Sequence, residues 1–167
     1  VFTLRCGSIV HPKAERKITA CVTHLRAGGK DPEEAAAARG RQAWRIGNAL
    51  KDRLEAGRAI VVAGDFNAAP NKDTLDPLYR LQRDGGTNDL KFDEADQTDA
   101  RRERFVMGDV KCAANACRSG EPTANTNTKI DHVFISHKRV AGEIRADVLG
   151  SGGSGHNLYL ASAELDL

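Results

Sequence analysis

The order of apolar and polar positions predicts a chain in which strands and helices alternate. Two β-rich segments come first, "VFTLRCGSIV" and "KITACVTHL". The polar residues His11–Lys17 separate them, which indicates a hairpin whose turn is centred near Lys13 and Ala14. This pairing places Cys6 opposite Cys21.

A long amphipathic helix follows the hairpin. Asp31 is a capping residue type, and Pro32 suits the first position of a helix. Apolar side chains then recur at helical spacing, at Ala43, Ile46, Leu50 and Leu54. The pattern predicts a helix of roughly 25 residues that ends at Gly57.

The remainder of the chain alternates strands with polar connections. Ala59–Ala63 is predicted as a buried strand, and "NKDTLDPLYRLQRDGG" as a short helix followed by a turn. The long polar stretch after it predicts binding loops with one short strand at Arg104–Met107. Further strands are predicted at Lys129–Ser136, in "EIRADVLG" and in "NLYLASAEL". This alternation indicates the α/β or α+β class.

Composition limits the classes of protein that this chain can represent. With 167 residues, 40% hydrophobic and 29% charged, it has the profile of one soluble globular domain. The net charge of +2 is too small to indicate nucleic-acid binding by itself. No apolar run has the length of a transmembrane helix, and Val1–Val10 lacks a signal-peptide pattern. If the protein is exported, we expect this to be the mature form.

Four cysteines allow three disulfide pairings. Cys6 and Cys21 face each other in the predicted hairpin, and Cys112 and Cys117 bracket the short loop "AANA". Two disulfides favour an oxidising compartment, so we expect a secreted protein. Free buried thiols are the alternative, as is a zinc site, although no close CxxC or HxxxH spacing supports zinc.

Four polar clusters stand at or near the ends of predicted strands. They are Thr23–Leu25 ("THL"), Gly64–Asn67 ("GDFN"), Lys129–His132 ("KIDH") and Ser154–Asn157 ("SGHN"). If these ends meet at one edge of a sheet, they bring together two imidazoles, two carboxylates and an amide. Such a set suits hydrolysis of a phosphate ester, with a carboxylate that binds a divalent metal and a His–Asp pair that accepts a proton. For "GDFN" alone, a plain turn after a buried strand is the alternative.

The spelling and order of these clusters resemble the endonuclease/exonuclease/phosphatase superfamily, which includes the deoxyribonuclease I-like nucleases. "VTHL", "GDFNAAP", "KIDHVFIS" and the Ser-x-His before the last strand match the C-terminal half of that family. The resemblance covers Val1–Leu167. It implies half of a four-layer α/β sandwich, with a mixed or antiparallel sheet and outer helices. It also implies that residues 1–167 form one domain segment from which the N-terminal half of the fold is absent.

The resemblance also implies roles for individual side chains. His156 is the base that activates water, and Asp131 orients its ring. Asp65 positions the nucleophile or a metal ion, Asn67 contacts the substrate phosphate, and His24 contacts a phosphoryl oxygen and serves as a candidate general acid. Three of these residues have a structural alternative when taken alone: a strand histidine for His24, a strand-edge carboxylate for Asp131 and a loop histidine for His156.

Two departures from the family pattern bear on the metal site. Gly155 stands where the family carries an aspartate that contributes to the metal environment. The principal metal-binding glutamate belongs to the N-terminal half, and Glu33, Glu34 and Glu55 lie on the predicted helix, in the wrong context to replace it. We therefore expect the missing half to be a partner, as a cleaved fragment or an upstream segment, and a self-paired dimer is the less favoured alternative.

The resemblance implies metal-dependent hydrolysis of phosphate esters, with Mg²⁺ (or Mn²⁺ or Ca²⁺) as the cofactor and activity that requires the N-terminal half. A secreted nuclease or phosphodiesterase is the preferred reading, because Arg101, Arg102 and Arg104 supply cations for backbone phosphates. The alternatives are a phosphatase or phospholipid phosphodiesterase of the same family, or a binding module that has lost its metal chemistry.

For several other side chains we predict a structural role or a position in solvent and no part in the site. We expect three helix arginines to lie in solvent (Arg39, Arg41 and Arg45), two histidines to lie at the surface (His132 and His137), and Trp44 and Tyr159 to pack in the core.

Overall fold

The computed structural model describes residues 3–10, 12, 16–28, 31–79, 91–96 and 118–167. The strands and the α-helix are β1 (Thr3–Val10), β2 (Lys17–His24), α1 (Pro32–Glu55), β3 (Ala59–Asp65), β4 (Phe92–Glu94), β5 (Asp131–Ser136), β6 (Val140–Leu149) and β7 (Leu158–Leu165). Short 3₁₀ turns occupy Asp73–Leu75 and His137–Arg139. The predicted strand at Arg104–Met107 lies outside the described residues, as do Arg101, Arg102, Arg104, Cys112 and Cys117.

Strands β1 and β2 form the predicted antiparallel hairpin. Its register pairs Cys6 with Cys21 directly, and a disulfide joins the two residues. The prediction for this cysteine pair is therefore confirmed. Cys21 is also buried in the hydrophobic core, in the same cluster as residues of helix α1.

Five strands form one mixed sheet in the order β1-β2-β3-β5-β4. Strands β2 and β3 are parallel, whereas the other neighbours are antiparallel. Strand β3 continues to Asp65, two residues beyond the predicted end, and β5 begins at Asp131 rather than Lys129. The sequence did not predict β4, whose residues lie within a polar stretch.

Helix α1 has 24 residues and the predicted start, because the Asp31 carboxylate accepts the Glu34 N–H at 2.9 Å. Gly57 follows its end in a left-handed conformation. The helix packs on one face of the sheet. Its apolar side chains join those of β3 and β5 and of the segment after β3 in one core, which includes Ile46, Leu50, Leu54, Ile60, Val62, Phe66, Leu75 and Phe134.

Two predictions about α1 were wrong. Trp44 is 60% exposed, so it lies on the solvent side rather than in the core. Arg39 is half-buried, and its guanidinium bonds a backbone carbonyl instead of pointing to solvent. Arg41 and Arg45 are exposed, as expected. The helical period predicts which side chains form the buried stripe of α1. The burial of the side chains next to that stripe depends on how the helix packs on the sheet.

The opposite face of the sheet is partly covered by the two-stranded sheet β6-β7. Ile144 of β6 and Ile135 of β5 are buried in this second core, with Tyr159 of β7 packed against it. The β6-β7 sheet thus covers this face where β3 and β5 form it. No element of the described residues covers the part formed by β1 and β2, where Ile9 and Val22 are 57% and 59% exposed.

A buried ionic cluster ties β4 and β7 to the start of β5. Lys129 Nζ lies 3.3 Å from Glu94 Oε1 and 3.1 Å from Asp96 Oδ2. Tyr159 donates its hydroxyl to Glu94 at 2.9 Å and packs its ring against Lys129 Nζ. Burial and the Glu94 carboxylate raise the pKa of Tyr159, so it stays a neutral donor. These contacts explain how the polar residues of β4 can be buried.

The two histidines expected at the surface differ in environment. His132 is fully buried, so that prediction was wrong, and its Nε2 lies 2.9 Å from the Ala68 carbonyl oxygen. His137 is partly exposed and pairs with Asp93 at 2.7 Å. Among the described residues, no helix combines the length and the apolarity needed to cross a membrane.

Candidate active site

The polar ends of three strands meet at one edge of the five-stranded sheet. His24 closes β2 and is the register partner of Asp65 at the end of β3. Asp65 is in turn the register partner of Asp131 at the start of β5. Because neighbouring strands lie about 4.8 Å apart, this register alone places the three side chains close together. The expected gathering of the strand ends is confirmed for these residues.

The "GDFN" segment requires a glycine at its first position. Gly64 has a φ of +148°, and a Cβ there would lie 1.9 Å from the Thr23 carbonyl oxygen of β2. Asn67 adopts a left-handed conformation with φ +50°, which asparagine tolerates better than most residues. The segment is therefore a turn, and this turn aims Asp65 and Asn67 at the sheet edge.

Asp65 is held by the turn that follows it. Its Oδ1 accepts the Asn67 backbone N–H at 2.7 Å, and its Oδ2 accepts the Asn67 side-chain amide at 3.1 Å. The same amide donates to the Leu25 carbonyl oxygen at 3.1 Å. Both acceptors require a donor, so they fix the amide orientation with Nδ2 towards them. Asn67 thus connects the ends of β2 and β3.

His156 and Asp131 form a hydrogen-bonded pair. His156 lies in the loop before β7, and its Nδ1 is 2.9 Å from Asp131 Oδ2. The hydrogen bond to Asp131 raises the pKa of His156, with the nearby Asp65 charge acting in the same direction. In the neutral ring, a proton on Nδ1 leaves Nε2 as the acceptor nitrogen.

Thr123 positions this pair, a role that was not predicted from the sequence. Its buried hydroxyl oxygen accepts the N–H groups of Ile130 and Asp131, at 3.0 and 2.9 Å. Its carbonyl oxygen accepts the Asn157 N–H at 2.8 Å, which fixes the chain next to His156. A lone threonine in a turn-rich stretch carries no recognisable sequence signal for this role.

His24 completes the cluster from the other side of Asp65. Its Nε2 lies 3.4 Å from Asp65 Oδ2, and its side chain is 69% exposed. It is therefore available to a ligand at the sheet edge. His24, Asp65, Asn67, Asp131 and His156 were all predicted from the sequence, and the fold brings all five together.

The donors at this edge suit a divalent cation. One ligand atom from each of Asp65, Asp131 and His156 lies within 4.8 Å of the others. Carboxylate oxygens with an imidazole are compatible with Mg²⁺ or Mn²⁺. His156 Nδ1 is already bonded to Asp131, so Asp65 is the residue best placed to bind the ion. Gly155 offers no donor, although its Cβ position would meet only ordinary contact with Asn125.

The glutamates of α1 serve elsewhere, as the sequence indicated. Glu34 forms an ion pair with Arg26, and Glu55 lies 3.7 Å from Lys51 on the same helix. Neither replaces the glutamate that the family resemblance assigns to the missing half.

Comparison with solved structures identifies the fold. The catalytic domain of human Nocturnin superimposes with a TM-score of 0.63 at 18% identity, over 96% of this chain and 51% of its own. A mannosyl-6-phosphatase of Bacteroides thetaiotaomicron gives 0.65 at 15% identity, over 99% and 57%. An endonuclease/exonuclease/phosphatase from Bacteroides vulgatus gives 0.62 at 21% identity, over 99% and 56%. The chain thus spans slightly more than half the length of these three structures.

Sequence comparison identifies the family. No curated protein sequence matches the chain. The model of the endonuclease/exonuclease/phosphatase family matches residues 2–152, which include three of the four polar clusters. The fourth cluster, Ser154–Asn157 with the catalytic candidate His156, lies just beyond the matched residues. The matched length, the mixed sheet and the grouped strand ends agree, and the chain belongs to the endonuclease/exonuclease/phosphatase family.

Proposed function

We propose that this chain carries the proton-transfer half of a site that hydrolyses phosphate esters with water as the nucleophile. The observation that supports it most directly is the His156–Asp131 pair, 2.9 Å long, beside the Asp65 carboxylate. A base of raised pKa next to a carboxylate at an open sheet edge is a typical arrangement for general-base catalysis.

The proposed proton path uses the two nitrogens of His156. Nδ1 donates to Asp131, so Nε2 accepts the proton that water loses as it attacks phosphorus. Asp131 keeps its charge and stabilises the imidazolium that forms. His24, on the far side of Asp65, donates to a phosphoryl oxygen as negative charge develops there. Asn67 belongs to the same proposal as a phosphate contact through its amide Nδ2, which would exchange its bond to Asp65 Oδ2 for one to a phosphoryl oxygen.

The proposed cofactor is Mg²⁺, with Mn²⁺ or Ca²⁺ as substitutes, and Asp65 is the residue of this chain that would hold it. A bound divalent cation neutralises charge on phosphoryl oxygens. The further ligands that the family uses belong to the N-terminal half of the fold, so we propose that activity requires that half.

The proposed partner is therefore the N-terminal half of the same fold, as a cleaved fragment or an upstream segment. Two features support it. The chain spans slightly more than half of the matched structures. Apolar side chains are exposed both on the open part of the sheet, at Ile9 and Val22, and on the outer side of the β6-β7 sheet, at Leu149, Leu158 and Leu160.

The proposed substrate is a phosphodiester such as nucleic acid, and the proposed location is extracellular. The Cys6–Cys21 disulfide supports an oxidising compartment. The preference for nucleic acid rests on the sequence alone, through the cationic side chains of Arg101, Arg102 and Arg104.

The test is hydrolysis by the full-length protein as encoded. We expect nicking of plasmid DNA and cleavage of bis(p-nitrophenyl) phosphate in Mg²⁺, and loss of both in EDTA. His156→Ala should lower kcat by about 10²–10⁴-fold, the range for removal of a general base. His137→Ala is the matched control, because His137 also pairs with an aspartate but lies at the opposite end of β5. Activity that survives EDTA or His156→Ala would refute the mechanism, and a protein inactive throughout would favour a binding module.

A further inference from the structure

Arg26 hydrogen-bonds the segment that follows His24 to three side chains of helix α1. The Arg26 N–H donates to Gln42 Oε1 at 2.9 Å, and the Arg26 carbonyl oxygen accepts from Arg39 Nη1 at 3.1 Å. The Arg26 guanidinium forms two parallel contacts with the Glu34 carboxylate, at 2.7 and 2.5 Å. We call these contacts of Arg26 with Glu34, Arg39 and Gln42 the Arg26 clamp.

The residue between His24 and the clamp is fixed to the other side of the site. The Leu25 N–H donates to the Asp65 carbonyl oxygen at 2.9 Å, and the Leu25 carbonyl oxygen accepts from the Asn67 amide at 3.1 Å. The Leu25 side chain is buried in the core. All four backbone polar groups of Leu25 and Arg26 therefore have partners, two from the site and two from α1.

The backbone of His24 is paired with Thr3 of β1 and with Asp65 of β3, but its side chain is weakly held. Its side chain is mostly exposed, and its contact with Asp65 is 3.4 Å long. The position of its imidazole thus depends on the backbone at the end of β2, which the bonds of Leu25 and Arg26 hold where the chain leaves the strand. A misplacement of about 1 Å at a reacting group can cost about 100-fold in rate, so this dependence matters for any role at a phosphate.

The environment of Arg39 is unfavourable for a charged side chain. Burial lowers its pKa, and within the described part of the chain its Nε is buried without a hydrogen-bond partner. Arg41 and Arg45 show that the same helix has exposed positions for arginine. The contact that accounts for a half-buried guanidinium here is its bond to the Arg26 carbonyl oxygen.

We propose that Arg39 and Gln42 are positioning residues, which act through the backbone of Arg26 to hold His24 at the substrate phosphate. The inference rests on the proposed function for the role of His24, but the geometry that it asserts is independent of catalysis. The proposal gives a role to two side chains of α1, a helix that carries none of the five residues of the candidate site.

The test compares Gln42→Leu and Arg39→Met with their conservative counterparts Gln42→Glu and Arg39→Lys in the full-length protein. Gln42→Glu keeps the acceptor for the Arg26 N–H, and Arg39→Lys keeps a donor for its carbonyl. Arg41→Leu, on the solvent side of the same helix, is the matched control. The readouts are kcat and KM for bis(p-nitrophenyl) phosphate, the ¹H–¹³C signals of the His24 and His156 rings, and the melting temperature.

We expect Gln42→Leu and Arg39→Met to lower kcat at least about 10-fold with KM within twofold, and to move the His24 signal but not the His156 signal. The conservative variants should recover most of the kcat, and Arg41→Leu should change nothing. An unmoved His24 signal in a folded Gln42→Leu protein would overturn the proposal, as would a loss of kcat that Gln42→Glu does not recover. If the unmodified protein cleaves no phosphate ester, the proposed function fails, and the His24 signal then decides the clamp by itself.

Discussion

The imidazole of His156 and the carboxylate of Asp131 are the two side chains on which the proposed chemistry depends most. Asp131 is fixed through its backbone by Thr123, and His156 through the loop that Thr123 also bonds. The geometry of the pair therefore comes from residues that do not themselves meet the substrate. A carboxylate bound to one ring nitrogen both selects the tautomer and favours the charged form of the ring.

At the residue scale, we predict a pH effect in the metal-free protein. The hydrogen bond to Asp131 raises the pKa of His156, so its ring should stay protonated to a higher pH than an ordinary histidine, whose pKa is about 6.5. The neutral ring, which is the form able to accept a proton, should appear only above that raised pKa. Asp131→Asn removes the charge, so the pKa of His156 should fall towards the ordinary value.

The measurement is a ¹H–¹³C titration of the His156 ring in EDTA, with the backbone amide spectrum as the control for folding. A pKa for His156 at or below that of an unperturbed histidine, or one that Asp131→Asn leaves unchanged in a folded protein, would contradict the prediction.

At the scale of elements, the close approach of β2 and β3 sets a strict requirement on Gly64. Its left-handed φ is unfavourable for any residue with a Cβ, and that atom would overlap the backbone of Thr23 rather than a movable side chain. The turn that presents Asp65 and Asn67 therefore depends on a residue that has no chemistry of its own.

We predict that Gly64→Ala lowers the free energy of unfolding by roughly 3 kcal/mol or more, or prevents folding, because overpacking and backbone strain add. Gly7→Ala in β1 is the matched control, since a Cβ there meets nothing within 4 Å. It should change the free energy of unfolding by about 0.5 kcal/mol or less. Urea denaturation of the two variants measures both values, and equal stabilities would show that the strands can separate to admit a methyl group.

Strand β4 shows why elements cannot always be predicted from local pattern. Its residues, Phe92–Glu94, sit in a stretch that is polar along the chain, yet all three are buried. Glu94 is tolerated inside because Lys129, which is 35 positions further along, lies 3.3 Å away. A hydrophobic period cannot reveal a buried carboxylate whose partner is remote.

At the scale of the whole molecule, the two sheets are unequally covered. Helix α1 closes one face of the five-stranded sheet, whereas the β6-β7 sheet closes only part of the other. Exposed apolar residues remain on both sheets, among them Val22 and Leu158. A surface of this kind is typical of a face that packs against another part of a protein.

We therefore predict that residues 1–167, expressed alone, associate with themselves or with the N-terminal half of the fold when it is supplied. Gel filtration with intact-mass measurement tests this. Replacement of Val22 and Leu158 by threonine should reduce self-association without loss of helical circular dichroism. A stable, monodisperse monomer of 18.0 kDa from the unmodified chain would contradict the prediction.

Local pattern by itself determined much of this protein. It predicted helix α1 to within two residues at its end, and among the described strands it located the core of each one except β4. It also predicted the Cys6–Cys21 pairing and the five residues that meet at the sheet edge. These predictions succeed because capping, hydrophobic period and strand-end chemistry are properties of short segments. The order of the polar clusters also matches a known family.

Tertiary structure decided the rest, because it depends on neighbours that are far apart in sequence. His132 is buried where a surface position was expected, and Trp44 is exposed where the core was expected. Thr123 and Arg39 hold the site from segments that carry no sequence signal for that role. A side chain's role is set by the free energy of the contacts that surround it, and those contacts form only when strands and helix have packed.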